Sequence, residues 1–358
     1  MNDGEFEDYL DSRAEVINEK IKEYLVKESS DEFIGKLLGK AGYKYHHEAL
    51  SRSVLDPAWY LIGLGGKRWR ATLMYLMMEA LGGDADHYLE FCLVPEVIHN
   101  ATLIHDDLED GSQFRRGAAA VHIKYGLDVA NNLGDFMYFF PLVAVMDSKK
   151  LSDEKKTRFL SVYAKEMLRV TTGQAADIAW HRFLVDPMKI TEDHYLQMTY
   201  DKTGVLARMA CKLAGVLAGT DENTMEVMGH FGATIGVAFQ IQDDLLNIYP
   251  SEVSKTKGGV GEDISEGKIS LPVIYALQHS NENDRNRLLE ILKMHTQEQQ
   301  LRDEAIGIID KSGAGDYCRQ VEKKIVTDAW DQLDSHLQPS NAKERLKGLA
   351  DFLINRSK

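Results

Sequence analysis

The sequence predicts an all-α fold, a large single-domain helical bundle, and three observations carry that prediction. Leu, Ala, Met, Glu and Lys are plentiful while only 7 of the 358 residues are proline, a composition that favours helix over β-branched, turn-punctuated sheet. Apolar residues recur at helical spacing through most of the chain, and loop signals separate them every ~15 to 30 residues, the interval of a bundle. A hydrophobic content of 44% can bury a substantial core. No Pro/Ser-rich or single-charge linker divides the chain, so one domain over residues 1–358 is expected despite the length.

The elements follow in order. A helix is expected over Ala71 to Leu81, stopped by Gly82 and Gly83, and the next over Asp84 to Asp110 with Pro95 as an internal kink. Gly111 to Gly117 reads as a loop. Helices then follow over Asp128 to Met146, Ser152 to Phe183, Thr191 to Leu217, where Lys202-Thr203-Gly204 is an interruption, and Asp221 to Tyr249, which Pro250 ends. Ser251 to Gly267 is polar and glycine-rich and reads as a mobile loop, with further helices in the C-terminal third.

Charge and cysteine usage narrow the function classes. A net charge of -14 repels a phosphate backbone, so nucleic-acid binding is not expected. Cys92, Cys211 and Cys318 are far apart and lack metal-ligand spacing, which fits thiols in a reducing compartment. The acidic stretch Met1 to Asp8 lacks the order of a signal peptide, and no apolar run is expected to span a bilayer, so the reading is a cytoplasmic protein without stable membrane insertion.

The chemistry is carried by two acidic clusters. Asp106 and Asp110 lie one helical turn apart with Asp107 adjacent, and carboxylates this close repel unless cations sit between them. Hard oxygen donors of this kind suit Mg²⁺, which keeps waters and a substrate phosphate in its shell. The pattern recurs at Asp243 and Asp244 in apolar surroundings beside Phe239 and Gln240, where buried carboxylates need partners. Two such faces could hold several Mg²⁺ ions and clamp a diphosphate. Cations of the right sort accompany them: Gly65-Gly66-Lys67-Arg68-Trp69-Arg70 combines a flexible turn with three positive charges, and Arg115-Arg116-Gly117 lies five residues beyond the first cluster.

These motifs, with Glu96-x-x-His99, Leu103-x-His105, Gly173-Gln174-x-x-Asp177, Lys202-Thr203-Gly204 and Glu266-Gly267-Lys268 in the same order, resemble the trans-isoprenyl diphosphate synthases, the family of farnesyl and geranylgeranyl diphosphate synthases. The resemblance implies an isoprenoid-synthase fold, a bundle around a central substrate cavity, and a homodimer. It implies that Asp106, Asp110 and Asp243 bind three Mg²⁺ on an allylic diphosphate, with Asp107 and Asp244 in support. By the same resemblance Arg115, Lys202 and Lys257 hold that diphosphate, Gly66, Lys67, Arg70, His99 and Arg116 bind isopentenyl diphosphate, and Phe239, Thr203 and Gln240 line the reacting centre. The expected reaction is ionisation of the allylic substrate, attack by the alkene, and proton loss to the released diphosphate.

Asn247 stands where many members carry a third aspartate, and with Glu109 and Glu262-Asp263 the pattern resembles fungal and animal geranylgeranyl enzymes. Ala101 and Thr102, one turn before the first cluster, replace the bulky aromatic that would stop a chain early, with Phe136 or Phe140 as a candidate floor; a twenty-carbon product is therefore expected. Alternatives are a farnesyl or longer-chain synthase, a non-catalytic partner subunit, or a one-diphosphate enzyme such as a terpene cyclase. The last would not be expected to keep the Lys67, Arg70, His99 and Arg116 set.

Overall fold

The computed structural model describes residues 3–249 and 260–355. It is helical nearly throughout, as the composition predicts, and the described chain divides into two compact units. The first comprises Met1–Tyr163, Ala210–Asp221 and Ser340–Arg345; the second comprises Ala164–Met209, Glu222–Pro339 and Leu346–Lys358.

In the first unit the helix Asp3–Tyr24 buries Phe6, Leu10, Ile17 and Ile21, a stripe of helical period, and packs on the helix Trp69–Ala80. Trp69–Ala80 is buried on almost every side, including Met74, Met77 and Met78, so it is the centre of this unit. It stops where expected: Gly82 takes a left-handed φ of 76°, and the Gly83 N–H returns to the Met78 carbonyl at 2.9 Å.

The expected long helix from Asp84 to Asp110 is a turn, a short 3-10 segment Leu89–Cys92, and the helix Leu93–Asp110. Pro95 is not a kink. It falls in the first turn of Leu93–Asp110, where a missing N–H leaves no intrahelical bond unmade. Gly111, at φ 67°, caps the other end by donating to the Asp107 carbonyl.

The stretch read as a loop over Gly111 to Gly117 contains a small hairpin. Phe114–Arg115 pairs antiparallel with Ala118–Ala119 across Arg116 and Gly117, whose φ values of 52° and 78° are those a two-residue turn needs to match strand twist.

The helix expected over Asp128 to Met146 is two, Leu127–Phe139 and Leu142–Met146, because Pro141 cannot donate to the preceding turn. Leu127–Phe139 lies close against Leu93–Asp110: a Cβ on Gly134 would come within 2.4 Å of the His105 ring. Contrary to expectation, the stretch Leu127–Met146 is long and apolar enough, by length and composition alone, to cross a membrane, and it is partly buried within the fold.

In the second unit the helix Glu222–Ile248 is packed along Ala314–Asp334, and around them Tyr195, Ile241, Leu245, Ile274, Leu288 and Ile291 form a core. The segment expected as one interrupted helix is Glu192–Thr199, a wide π-helical turn Tyr200–Gly204, and Val205–Ala218. Glycines allow the wide turn to be approached from two sides. A Cβ on Gly173 would lie 2.4 Å from the Lys202 nitrogen, and one on Gly236 would lie 2.5 Å from the Gly204 Cα. Pro250, and residues 251–259 of the expected glycine-rich loop with Lys257 among them, lie outside the described residues. Beyond them the chain resumes with the short helix Glu262–Ser265.

Candidate active site

The first acidic cluster sits on the last two turns of Leu93–Asp110, and its three aspartates have different environments. Asp107 is buried, and its carboxylate is gripped by Arg115: Nε donates to Oδ1 at 2.9 Å and Oδ2 at 3.2 Å, and a terminal guanidinium nitrogen donates again to Oδ1. Burial pushes the Asp107 carboxyl up, and Arg115 opposes that shift. Asp106 and Asp110 are only partly buried. Burial works against the charge on Arg115, but Asp107, Asp106 and Asp110 together outweigh it and raise its pKa. Thus Asp107, expected to support a metal, turns its carboxylate to a cation of the protein.

The basic residues of this unit converge two turns earlier on the same helix. Burial, and then the guanidiniums of Arg70, Arg116, Arg115 and Arg68, hold His99 well below the usual histidine range, so its imidazole is neutral. Arg116 is itself lowered, by burial first and by repulsion from Arg68 and Arg115. A group of guanidiniums that depress one another's neighbours is a place for an anion.

Its geometry is set by the turn at Gly65 and Gly66. Arg116 donates to the Gly65 carbonyl, and a side chain on Gly66, at φ 132°, would meet the guanidiniums of Arg116 at 3.1 Å and Arg68 at 3.3 Å. Arg70 is buried, with its guanidinium 4.3 Å from the centre of the Trp69 ring.

Arg68, to which the motifs assign no role of its own, anchors the arrangement. It has a left-handed φ of 49° and is buried, donating to Glu96 at 2.8 Å, the Ile62 carbonyl at 2.9 Å and Asn18 at 3.0 Å. Glu96 is equally buried and also receives Asn100 at 3.3 Å. Lys67 points elsewhere: its ammonium is 3.1 Å from Asp11 and 3.4 Å from Glu7 on the N-terminal helix.

Ala101 is fully buried, and the Thr102 hydroxyl donates to the His99 carbonyl at 2.8 Å. Phe136 and Phe140 stack with ring centres 5.4 Å apart.

The second acidic cluster belongs to the other unit, on Glu222–Ile248. Asp243 is partly buried; Asp244 is fully so, with its pKa pushed up to about 7 by burial and by the neighbouring carboxylates of Asp263 and Asp243, against the opposing bonds from Gln240 and Tyr195. Tyr195 donates to Oδ2 at 2.7 Å and Gln240 to Oδ1 at 2.8 Å, so both oxygens are taken. Gln240 in turn accepts from Thr203 at 3.1 Å. Phe239 is partly buried on the same helix. Lys202, on the wide turn, donates to Asp177 at 2.6 Å. Asn247 accepts the Asp263 N–H at 3.1 Å and so ties the segment after the undescribed residues to the helix.

Among the described residues no three His, Cys, Asp or Glu side chains converge to hold a metal on their own. A site of one or two carboxylates completed by water and phosphate suits Mg²⁺, and Asp106 and Asp110, hard donors one turn apart, fit such an ion. Sequence patterns pass over Tyr195 and include Arg68 only as one of three cations, without its buried anchoring contacts. The tyrosine contacts a partner 49 residues away, and the arginine reads, without tertiary contacts, as one more surface cation.

The polyprenyl synthetase family model matches residues 51–309. A short chain isoprenyl diphosphate synthase of Methanothermobacter thermautotrophicus is 34% identical over 304 residues, covering 85% of this chain and 90% of that protein. A geranylgeranyl pyrophosphate synthase of Geoglobus acetivorans is 31% identical, covering 97% of this chain and 98% of its own. The solved geranylgeranyl pyrophosphate synthetase of Pyrococcus horikoshii superposes with a TM-score of 0.83 at 29% identity, covering 99% of both chains. With an all-α fold, an aspartate pair one turn apart and a cluster of arginines around His99 of the same helix, the chain belongs to the polyprenyl synthetase family and is a prenyltransferase.

Proposed function

We propose that the chain condenses isopentenyl diphosphate with an allylic diphosphate, head to tail and with Mg²⁺, to give geranylgeranyl diphosphate. The observation that carries this reading is the spacing along Leu93–Asp110. His99 with its arginines and the Asp106–Asp110 pair are seven residues apart at their near ends, about 10 Å of helix rise. One helix therefore offers a basic site for one diphosphate and an acidic, cation-binding site for another. A one-diphosphate enzyme has no use for the first.

In this reading Arg70, Arg116 and the neutral His99 hold isopentenyl diphosphate, which Gly66 lets approach the backbone. Lys67 joins them by exchanging Asp11 for the substrate anion. Arg115, oriented by Asp107, and, by the family resemblance, Lys202 and Lys257 are the cations assigned to the allylic diphosphate. Asp106, Asp110 and, by the family resemblance, Asp243 are the metal ligands, and three Mg²⁺ ions would neutralise the charge that develops as the C–O bond breaks. Thr203, Gln240 and Phe239 line the carbon centres. The released diphosphate accepts the proton, so no side chain of tuned pKa is required.

The twenty-carbon product rests on Ala101 and Thr102, which set no aromatic wall before the first cluster, with the stacked Phe136 and Phe140 as the floor. A homodimer in the cytoplasm is part of the proposal; Leu127, Phe139 and Met146, all large, apolar and exposed, support a partner surface.

The test incubates the protein with Mg²⁺, isopentenyl diphosphate and separate allylic primers, and sizes the products by mass spectrometry. Mainly twenty-carbon diphosphate is expected, and products stopping at fifteen carbons refute the length assignment. Asp106→Ala and Asp243→Ala should each abolish turnover; near-normal rates in either would overturn its metal role.

A further inference from the structure

We propose that Tyr195 is a positioning residue for the reacting centre, acting through Asp244 to fix which end of the Gln240 amide faces Thr203. The inference rests on the condensation reading and adds a residue to it.

Tyr195 is 1% exposed, on the helix Glu192–Thr199, and its ring is held in the core of its unit. Its hydroxyl donates to Asp244 Oδ2 at 2.7 Å, while the Gln240 Nε2 donates to Oδ1 at 2.8 Å. An amide can present either its oxygen or its nitrogen to a neighbour; here Tyr195 occupies one Asp244 oxygen as donor, and the Gln240 nitrogen is the end turned to the other. Asp244 therefore commits the nitrogen of Gln240 and leaves Oε1 toward Thr203, whose hydroxyl donates to it at 3.1 Å.

The consequence is electrostatic. The Gln240 oxygen, the negative end of the amide dipole, is held on the side of Thr203, where an electron-poor allylic carbon gains from it and an N–H would repel it. Asp244 can impose this only if its plane is fixed, and the Tyr195 bond at the far oxygen fixes it. With each oxygen accepting from a protein donor, Asp244 acts as a link in a relay of side chains.

The experiment compares wild type, Tyr195→Phe, Gln240→Glu and the double variant by steady-state kinetics with radiolabelled isopentenyl diphosphate, across a Mg²⁺ titration. Rates are read below the midpoint of each variant's thermal transition, followed by circular dichroism, so folded protein is compared. Tyr195→Phe keeps the ring and should lower kcat roughly 10- to 100-fold, the scale of misplacing a reacting group, with KM for both substrates held within about twofold. The half-saturating Mg²⁺ should be unchanged. The double variant should be no slower than the slower single one, because both changes break one relay.

A kcat within about twofold of wild type, or losses that multiply in the double variant, overturns the proposal. So does a Tyr195→Phe enzyme restored by excess Mg²⁺, which would make Asp244 a metal ligand. Absence of turnover in the wild type instead refutes the condensation reading itself.

Discussion

Gly173→Ala should leave the protein folded and disable it. The added methyl would lie 2.4 Å from the Lys202 nitrogen, 2.6 Å from the Asp201 carbonyl carbon and 2.8 Å from the Lys202 Cα, all backbone atoms, where ordinary contact begins at 3.4 Å. The helix Asp153–His181 and the wide turn must separate by about 1 Å to admit it. Overpacking of this kind costs about 1–3 kcal/mol, and alanine in place of glycine inside a helix returns about 1 kcal/mol. The net loss of stability is therefore small, about 0–2 kcal/mol, or a few °C in Tm. The catalytic loss is not small, because the same helix carries Asp177, the partner of Lys202 at 2.6 Å, and the same turn carries Thr203. A displacement near 1 Å at reacting groups lowers kcat roughly 100-fold at most. Steady-state rates beside thermal melts monitored by circular dichroism make the comparison. Gly307→Ala is the control, an exposed helical position with open space around it, where alanine should stabilise by about 1 kcal/mol and leave kcat alone. If Gly173→Ala matched that control in both readings, the close approach would have no part in catalysis.

Two further outcomes follow from the first unit. Glu96→Ala leaves Arg68 buried without its carboxylate and should lower the unfolding free energy by about 3–5 kcal/mol, read from the urea midpoint; a loss below about 1 kcal/mol would show that Asn18 and the Ile62 carbonyl suffice. His99, lowered by burial and four arginines, binds its proton more weakly folded than unfolded, so as pH drops below about 6.5 the unfolded state takes up more protons and stability is lost, while it is regained as pH rises. His99→Gln should remove that part of the slope in urea titrations at pH 8 and pH 6, and parallel wild-type and variant profiles would refute it.

Much of this is legible in the sequence, and the exceptions share a cause. The acidic pairs, the glycines at the Gly65–Gly66 turn and the interruption at Lys202-Thr203-Gly204 are local patterns, and each falls where its spacing implies. Membership of the family is equally legible, because the order of motifs needs no coordinates. Pro95 and Pro141 depart from expectation in opposite directions, since a proline's effect depends on where the helix begins, and helix ends are uncertain by a residue or two. The hairpin at Arg116-Gly117 escapes a sequence pattern because Arg takes a left-handed φ there, a conformation its type rarely adopts. Partners are least legible. Asp107 and Asp244 each stand beside an aspartate proposed to bind metal, and only tertiary contacts commit Asp107 to Arg115 and Asp244 to Tyr195 and Gln240.

The wide turn at Tyr200–Gly204 has a consequence for how the chain tolerates length changes. An uninterrupted α-helix through this point would rotate everything after it by about 100° for each residue removed. Before the turn, Tyr195 must face Asp244; after it, Val205, Leu206, Ala207 and Met209 must all be enclosed. The surplus residue acts as a phase shift that lets both demands hold. Deleting one amino acid here to give a regular helix would therefore do more than shorten the chain: it would swing one of those two faces out of alignment.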